Sequence, residues 1–136
     1  MEKKMQTHLL QAEPDYLAPD GSEIRELLNL ADKSGGLAYC TLPSGQVSVA
    51  QRHKAVGEIW YCVQGLGQVW RKPTVKEQSE QPVDVLPGSC LTIEPEEHFQ
   101  FRNTGQEPLV FIIATIPSWP GPQQAERVQG HWGTNS

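Results

Sequence analysis

The sequence has no hydrophobic run long enough to cross a membrane and no run of basic residues. Its 136 residues carry 11 Lys and Arg against 16 Asp and Glu, for a net charge of −5. Nucleic acids and anionic membranes require a basic footprint on the protein, so we expect neither as the main partner. No apolar segment follows the lysines near the start, so we expect no signal peptide and a cytoplasmic protein.

Cysteine is scarce as well. Cys40, Cys62 and Cys90 are the three cysteines, and no CxxC spacing occurs among them. An odd number without metal-type spacing argues against a disulfide framework and against a zinc site. Because all three lie in apolar, strand-like runs, we expect them to be buried as small hydrophobic side chains.

Glycine and proline are abundant by contrast, with 12 and 11 residues spread over the whole length. They separate short apolar runs with a spacing of roughly ten residues, which is typical of sandwiches and barrels. The length suits one domain. The runs cover residues 37–42, 47–51, 59–63, 68–71, 83–86, 90–94, 99–102 and 109–116. The sequence therefore predicts an all-β antiparallel domain.

The two ends differ from this body. Residues 22–31 have helix-like apolar spacing with Ser22 as a possible N-cap, yet an edge strand before a β-rich body is nearly as well supported. We therefore divide the chain into an N-terminal extension with an edge strand (1–33), the barrel (34–116) and a Pro/Gly-rich tail (117–136). Three prolines in residues 117–122 argue against regular sheet or helix in the tail. Trp119 and Trp132 are candidates to pin it to the barrel.

Polar side chains alternate with apolar ones around residues 45–65. Val49, Gln51 and His53 share one face of a strand, and Glu58 shares a face of the next strand with Trp60 and Cys62. Gln51, His53 and Glu58 can then point into one interior. A buried carboxylate requires a cation or hydrogen-bond partners, and a divalent metal bound by His and Glu meets that requirement.

A second polar stretch covers residues 88–103. On a strand that begins at His98, the side chains of His98, Gln100 and Arg102 share a face, and Phe99 and Phe101 take the other. We expect the polar face to be a third contribution to the interior.

These two stretches resemble the two motifs of the cupin superfamily. The first motif, G-x5-H-x-H-x(3–4)-E-x6-G, matches at Gly45, His53, Glu58 and Gly65, with Gln51 in place of the first histidine.

The second motif, G-x5-P-x-G-x2-H-x3-N, is matched more loosely by Gly88, Pro95, His98 and Asn103. The stretch from Gly88 to His98 is one residue shorter than the family pattern, and one extra residue precedes Asn103. The resemblance covers roughly residues 34–116.

The resemblance implies an antiparallel jelly-roll barrel, often dimeric, with one divalent metal ion (Mn, Fe, Ni, Cu or Zn). It makes His53 and His98 the imidazole ligands and Glu58 the carboxylate ligand. Gln51, at the first-histidine position, either ligates through oxygen, leaves a three-ligand site with water, or hydrogen-bonds the substrate. We expect a homodimer.

Small cupins include dioxygenases, isomerases and cyclases, so the resemblance favours a metal-dependent enzyme on a small molecule. The alternative is a non-catalytic barrel that binds or carries a sugar-like or carboxylate ligand. Candidates for the substrate pocket are Trp60, Gln100, Arg102, Val49 and Cys62. Trp60 is placed to stack on the ligand, and Arg102 either clamps a carboxylate or phosphate or forms a surface ion pair.

Overall fold

The computed structural model of the protein describes residues 4–74 and 80–133. Within these ranges the chain forms eleven strands and one 3-10 turn, with no α-helix and no helix of the length and apolar character that crossing a membrane requires. The strands are β1 Tyr16–Leu17, β2 Glu23–Asn29, β3 Gly36–Leu42, β4 Gln51–His53, β5 Gly57–Gln64, β6 Gly67–Lys72, β7 Val83–Val85, β8 Cys90–Ile93, β9 His98–Asn103, β10 Leu109–Ile116 and β11 Ala125–Arg127. The 3-10 turn, Pro122–Gln124, lies just before β11.

The strands form two antiparallel sheets. One has the order β1-β2-β3-β10-β5-β8, and the other has the order β11-β4-β9-β6-β7. β1, β2 and β3 are consecutive in sequence, as are β6 and β7, whereas the other neighbours are distant in sequence, as in a Greek-key arrangement. The predicted all-β jelly-roll fold is confirmed.

The sheets enclose an aromatic core. The ring of Trp60 on β5 lies 5.6 Å from that of Phe99, 5.1 Å from Phe101 and 4.9 Å from Phe111, measured between ring centroids. All four side chains are buried, and burying each one contributes roughly 1.5–3 kcal/mol. Because these strands alternate, their opposite faces carry the residues that meet solvent or the chain termini.

The ambiguous segment at residues 22–31 is a strand. β2 pairs with β3 from Glu23↔Thr41 to Asn29↔Gly36, and Ile24 enters the core. Ser22 caps no helix, because its hydroxyl and backbone N–H both donate to Asp20 Oδ1, at 2.6 and 2.9 Å. Pairing with β3 outweighs the helix-like spacing, as β-structure commonly does when a partner strand is present.

The expectation of no regular sheet in the tail is wrong for part of it. β11 follows the last of the three prolines and pairs with β4, with Ala125 opposite His53. Proline removes backbone donors only where it stands, so the chain beyond Pro122 is free to join a sheet edge. The boundaries proposed at 33/34 and 116/117 stay predictions.

The cysteines divide into two groups. Cys40 and Cys62 are buried, as predicted. The prediction is wrong for Cys90, which is exposed on β8 opposite Tyr61. Its strand is apolar, but Cys90 lies on the face that points away from the core.

Candidate functional site

A cavity of about 60 Å³ lies inside the barrel between the N-terminal strands and strands β4 and β5. Apolar and aromatic side chains form most of its wall, and a few polar groups converge on it. Its polar and ionisable lining residues are Tyr16, Asp20, Ser22, Glu26, Asn29, Cys40, Gln51, His53, Glu58 and Thr115. A volume this small holds a few non-hydrogen atoms, well below the roughly 300–1,000 Å³ typical of drug-sized ligands.

Strand β4 directs two of the predicted site residues into this cavity. Gln51 and His53 are 4% and 3% exposed, and Arg52 between them faces outward to Glu96 and Glu126 at 2.9 Å each. The pleat of a strand sends alternate side chains to opposite faces, which explains the separation. Two of the predicted interior positions are therefore placed as expected.

His53 has an unpartnered ring nitrogen. Its Nε2 atom lies 3.3 Å from Gln51 Nε2, whereas its buried Nδ1 atom has no hydrogen-bond partner among the residues that the structure describes. With the Gln51 amide as donor, Nε2 is the acceptor and Nδ1 carries the proton. Burial lowers the pKa of His53 to about 4, so the imidazole is neutral near pH 7. His53 thus presents an N–H group to the cavity.

Glu58 on β5 faces the same space. Its Oε1 atom accepts a hydrogen bond from Trp60 Nε1 at 2.9 Å, and its Oε2 atom lies 4.0 Å from His53 Nδ1. Burial raises the pKa of Glu58 to about 7, the Trp60 bond partly opposes this, and Asp20 adds to the rise. Glu58 is therefore a carboxyl group that both holds and releases a proton near neutrality.

Side chains from outside the two motifs also line the cavity, and Asp20 and Trp119 are two of them. Asp20 is 6% exposed, and burial raises its pKa although two hydrogen bonds from Ser22 oppose the rise. Trp119 from the tail places its ring 4.9 Å from that of His53, and Phe99 lies 5.1 Å away on another side. The Asp-Gly-Ser turn at residues 20–22 was a usable signal for Asp20 as a turn residue, but no local pattern placed it at this cavity.

The prediction that the polar face of β9 points into the barrel is wrong. Phe99 and Phe101 point into the core at 1% and 0% exposure, so His98, Gln100 and Arg102 lie on the outer face. His98 is half-buried opposite Lys72, and burial lowers its pKa, with Lys72 and Arg52 adding to the effect. The two phenylalanines bury apolar surface in the core, which the three polar side chains cannot do. Because side chains alternate along a strand, a shift of one residue exchanges the inward and outward faces.

Gln100 and Arg102, which were predicted to line the substrate pocket, contact the C-terminal tail instead. The Gln100 side chain bonds the backbone of Ser48, His131 and Trp132, and the Arg102 guanidinium lies 4.6 Å from the Trp132 ring. Arg102 also donates to Gln68 Oε1 at 2.7 Å. Among residues 4–74 and 80–133 it does not line the cavity and forms no ion pair.

The other candidates differ in outcome. Trp60 lines the cavity, as expected, while Cys62 belongs to the hydrophobic core beside it. Val49 is half-buried and does not line the cavity; its backbone N–H donates to the Asp20 carbonyl at 2.8 Å, which ties the Asp20 turn to the chain leading into β4.

The donor set does not fit the metal site that the cupin resemblance implies. Phe99, rather than His98, faces His53, so the second imidazole is absent from the cavity. Across residues 4–74 and 80–133, no three His, Cys, Asp or Glu side chains lie close enough together to hold a metal ion. His53 and Glu58 are the two predicted ligands that the structure does bring together, with Gln51 beside them.

Fold and site together define a small two-sheet antiparallel barrel with an interior cavity. The family described as "Cupin domain" matches residues 38–115, more than half of the sequence. The chain belongs to the cupin family.

Known proteins similar to this chain have diverse descriptions. The "Uncharacterized protein MJ1618" of Methanocaldococcus jannaschii is 27% identical over 107 residues, which cover 76% of this chain and 80% of that protein. A predicted oxalate decarboxylase of Thermotoga maritima is 20% identical with a TM-score of 0.65, covering 80% of this chain and 98% of that one.

Two other solved structures are similar in fold. The capsular polysaccharide assembling protein CapF of Staphylococcus aureus has a TM-score of 0.69 at 12% identity, over 93% of this chain and 33% of that one. The cupin domain of Schizosaccharomyces pombe Cnp3 has a TM-score of 0.61 at 11% identity, over 71% and 65%. At these identities the likeness shows the fold alone, and the descriptions of these similar structures include an enzyme and proteins that are not described as enzymes.

Proposed function

We propose that this barrel binds a small hydroxyl- or carbonyl-bearing molecule and transfers a proton on it, as an isomerase-type enzyme. Glu58 is the acid–base group in this proposal, and His53 is the neutral hydrogen-bond donor to the reacting oxygen. The proposal keeps the enzyme favoured by the sequence and replaces its metal centre with a His–Glu pair.

The unpartnered Nδ1 atom of His53 is the observation that carries the proposal. The side chain is 3% exposed, and leaving a buried polar atom unpaired costs about 1–3 kcal/mol. A ligand oxygen about 2.8 Å from both His53 Nδ1 and Glu58 Oε2 fits their 4.0 Å separation. Such an oxygen accepts from the imidazole and, in a hydroxyl group, donates to the carboxylate.

The same geometry suits proton abstraction next to a carbonyl. The Glu58 carboxylate takes a proton from the carbon beside the carbonyl, and the C–H electron pair becomes the C=C bond of an enediolate. His53 N–H hydrogen-bonds the oxygen that gains negative charge. The hydroxyl on the deprotonated carbon passes its proton to that oxygen and becomes the new carbonyl, as Glu58 returns its proton to the former carbonyl carbon. A carboxyl pKa of about 7 matches this exchange near neutral pH.

Hydrogen–deuterium exchange tests the proposal directly. Wild-type protein in D₂O is expected to speed the loss of the carbon-bound proton signal of hydroxyacetone, measured by ¹H NMR. Glu58→Gln is expected to lower the catalysed rate by at least about 100-fold and His53→Phe by about 100-fold, because one removes the base and the other the oxyanion donor.

His98→Ala is the matched control, because this histidine lies on the outer face of β9, and its rate is expected to equal that of the wild type. Equal exchange rates in wild type, Glu58→Gln and His53→Phe would contradict the proposed reaction. Saturable binding without exchange would favour the non-catalytic binding barrel instead.

A further inference from the structure

The cavity adjoins a surface groove of about 510 Å³ that Trp119 also lines. Tyr16, Pro19, Glu26 and Trp119 line both spaces, so they form the boundary between them. The groove is completed by Leu17 and by three residues of the tail, at positions 120–122. A ligand with its head in the 60 Å³ cavity therefore has room for a larger body in the groove.

Apart from the His53 imidazole, which is neutral near pH 7, the side chains along this path that can carry a charge near pH 7 are all carboxyl groups. Asp20, Glu26 and Glu58 line the cavity, Glu26 also lines the groove, and no Lys or Arg is among the described residues that line either space. Carboxylate and phosphate ligands need a cationic partner when they leave water, and this path supplies none. The site therefore opposes the carboxylate ligand that the sequence left open.

Groups that favour a cation stand at the boundary. The Tyr16 hydroxyl donates to Glu26 Oε1 at 3.2 Å, which holds the carboxylate beside the Tyr16 ring. Trp119 lines both spaces as well, and aromatic faces attract ammonium groups. Deeper in the cavity, His53 Nδ1 is buried and unpartnered, which independently indicates a missing polar ligand atom.

We propose that the ligand is an organic amine with a hydroxyl or carbonyl head: the head binds between His53 and Glu58, the ammonium lies at Glu26, and an apolar body lies in the groove. This inference rests on the proposed function, because it places the same head group at the same pair. It adds the charge and shape of the rest of the molecule.

Three probes of nearly equal size test the charge. 1-Amino-2-propanol, 1,2-propanediol and lactate share a hydroxyl carbon and differ in charge, and their dissociation constants are measured on the full chain by ¹⁵N–¹H NMR titration. The amine is expected to bind at least about tenfold more tightly than the diol. Lactate is expected to give no saturable shift.

Glu26→Gln removes the boundary charge and is expected to reduce the amine-to-diol ratio to about twofold or less. Glu23→Gln is the matched control, because it makes the same change on the opposite face of β2. The amine-to-diol ratio of this variant is expected to equal that of wild type. A body-bearing probe, N-benzyl-1-amino-2-propanol, is expected to bind about tenfold more tightly than its parent, and Trp119→Ala to abolish this gain.

The outcomes separate the two proposals. If the diol or lactate binds as tightly as the amine, with shifts at His53 and Glu58, the amine inference fails and the proposed function stands. If none of the probes gives a saturable shift, both fail. If the benzyl group adds no affinity, the groove is not part of the site.

Discussion

Gln100 and His53 are both buried polar side chains, yet only one has its hydrogen-bonding capacity satisfied. The Gln100 amide nitrogen donates to the carbonyls of Ser48 and Trp132, each at 2.9 Å, and its oxygen accepts from the N–H groups of His131 and Trp132, at 2.8 and 2.9 Å. In the described part of the chain, His53 has one polar contact within hydrogen-bond distance, at 3.3 Å to Gln51, and its second nitrogen has no hydrogen-bond partner.

The difference separates a structural role from a functional one. A buried amide with all its hydrogen bonds formed stabilises the fold. Each of these bonds replaces a hydrogen bond to water that the amide makes in the unfolded chain, and none of its polar atoms is left unpaired away from solvent. An unsatisfied imidazole at a cavity reduces stability, and it gains a partner only when a ligand arrives. Gln100 thus holds the tail against the outer face of β9 by hydrogen bonds, whereas His53 has a free N–H group for a ligand in the interior cavity. The predictions below test this division.

The largest effect is expected when His53 is given the partners that a metal site requires. Gln51 lies opposite Phe99 across β4 and β9, and both adjoin His53. The double variant Gln51→His with Phe99→His is expected to bind Ni²⁺ or Zn²⁺ with a dissociation constant of about 1 µM or tighter, roughly 8 kcal/mol, because three imidazoles and Glu58 then converge. Isothermal titration calorimetry measures it.

The single variant Gln51→His is the control, since it retains His98 and lacks the interior imidazole at position 99. It is expected to bind metal at least about 100-fold more weakly than the double variant. If it binds as tightly, His98 reaches the cavity after all and the face assignment of β9 is incorrect.

The next largest effect is expected at the satisfied residue. Gln100→Ala leaves four backbone groups without their partner, and the free energy of unfolding is expected to fall by about 4 kcal/mol. Urea denaturation measures this, and faster proteolysis within residues 128–133 should accompany it. Gln129→Ala, an exposed glutamine of the same tail, should be within about 0.5 kcal/mol of wild type. If Gln100→Ala also changed the free energy of unfolding by no more than about 0.5 kcal/mol, the hydrogen bonds of Gln100 would not be what holds the tail.

Glu58→Gln is expected to change how stability depends on pH. The pKa of Glu58 is raised from 4.5 to about 7 in the folded state, so its stabilising contribution is complete below pH 4.5 and is lost as the pH rises through 7. The variant should match wild type at pH 4.5 and exceed it by up to about 3 kcal/mol at pH 8. Asp20 raises the pKa of Glu58, so part of the difference at pH 8 is the loss of repulsion between these two carboxylates, which has the same sign.

Denaturant unfolding of both proteins at several pH values measures the effect. Glu94→Gln, which makes the same charge change at an exposed position, is the control and should track wild type. A constant offset between wild type and Glu58→Gln at all pH values would show that Glu58 does not titrate in this range.

The sequence predicted the site unevenly. The interior positions of Gln51, His53 and Glu58 followed from alternation along β4 and β5, because a pleated strand converts residue spacing directly into direction. For β9 the phase had to be carried through the turn at 94–97, in which Glu96 has a φ of 74° and its N–H bonds the His53 carbonyl. A loop of that shape does not preserve alternation, so the phase was lost.

A better signal for β9 was present in the alternation itself. Phe99 and Phe101 flank Gln100, and two aromatic side chains on one face indicate the core more strongly than a motif match with two irregular spacings. Asp20 and Trp119 had no comparable signal. They reach the cavity from opposite ends of the chain, and only the folded arrangement of both sheets brings them together.

The smallest change in stability is expected where the polar atom is unsatisfied. His53→Leu replaces an imidazole that has one unpaired nitrogen with an apolar side chain of similar volume, packed against Phe99 and Trp119. The free energy of unfolding should change by less than about 1 kcal/mol at pH 7. A small increase fits the proposal as well as no change does, because the cost of burying the unpaired nitrogen disappears. The same variant should lose saturable binding of hydroxylated probes. A loss of several kcal/mol with binding retained would reverse the roles assigned to His53 and Gln100, because His53 would then be the structural residue.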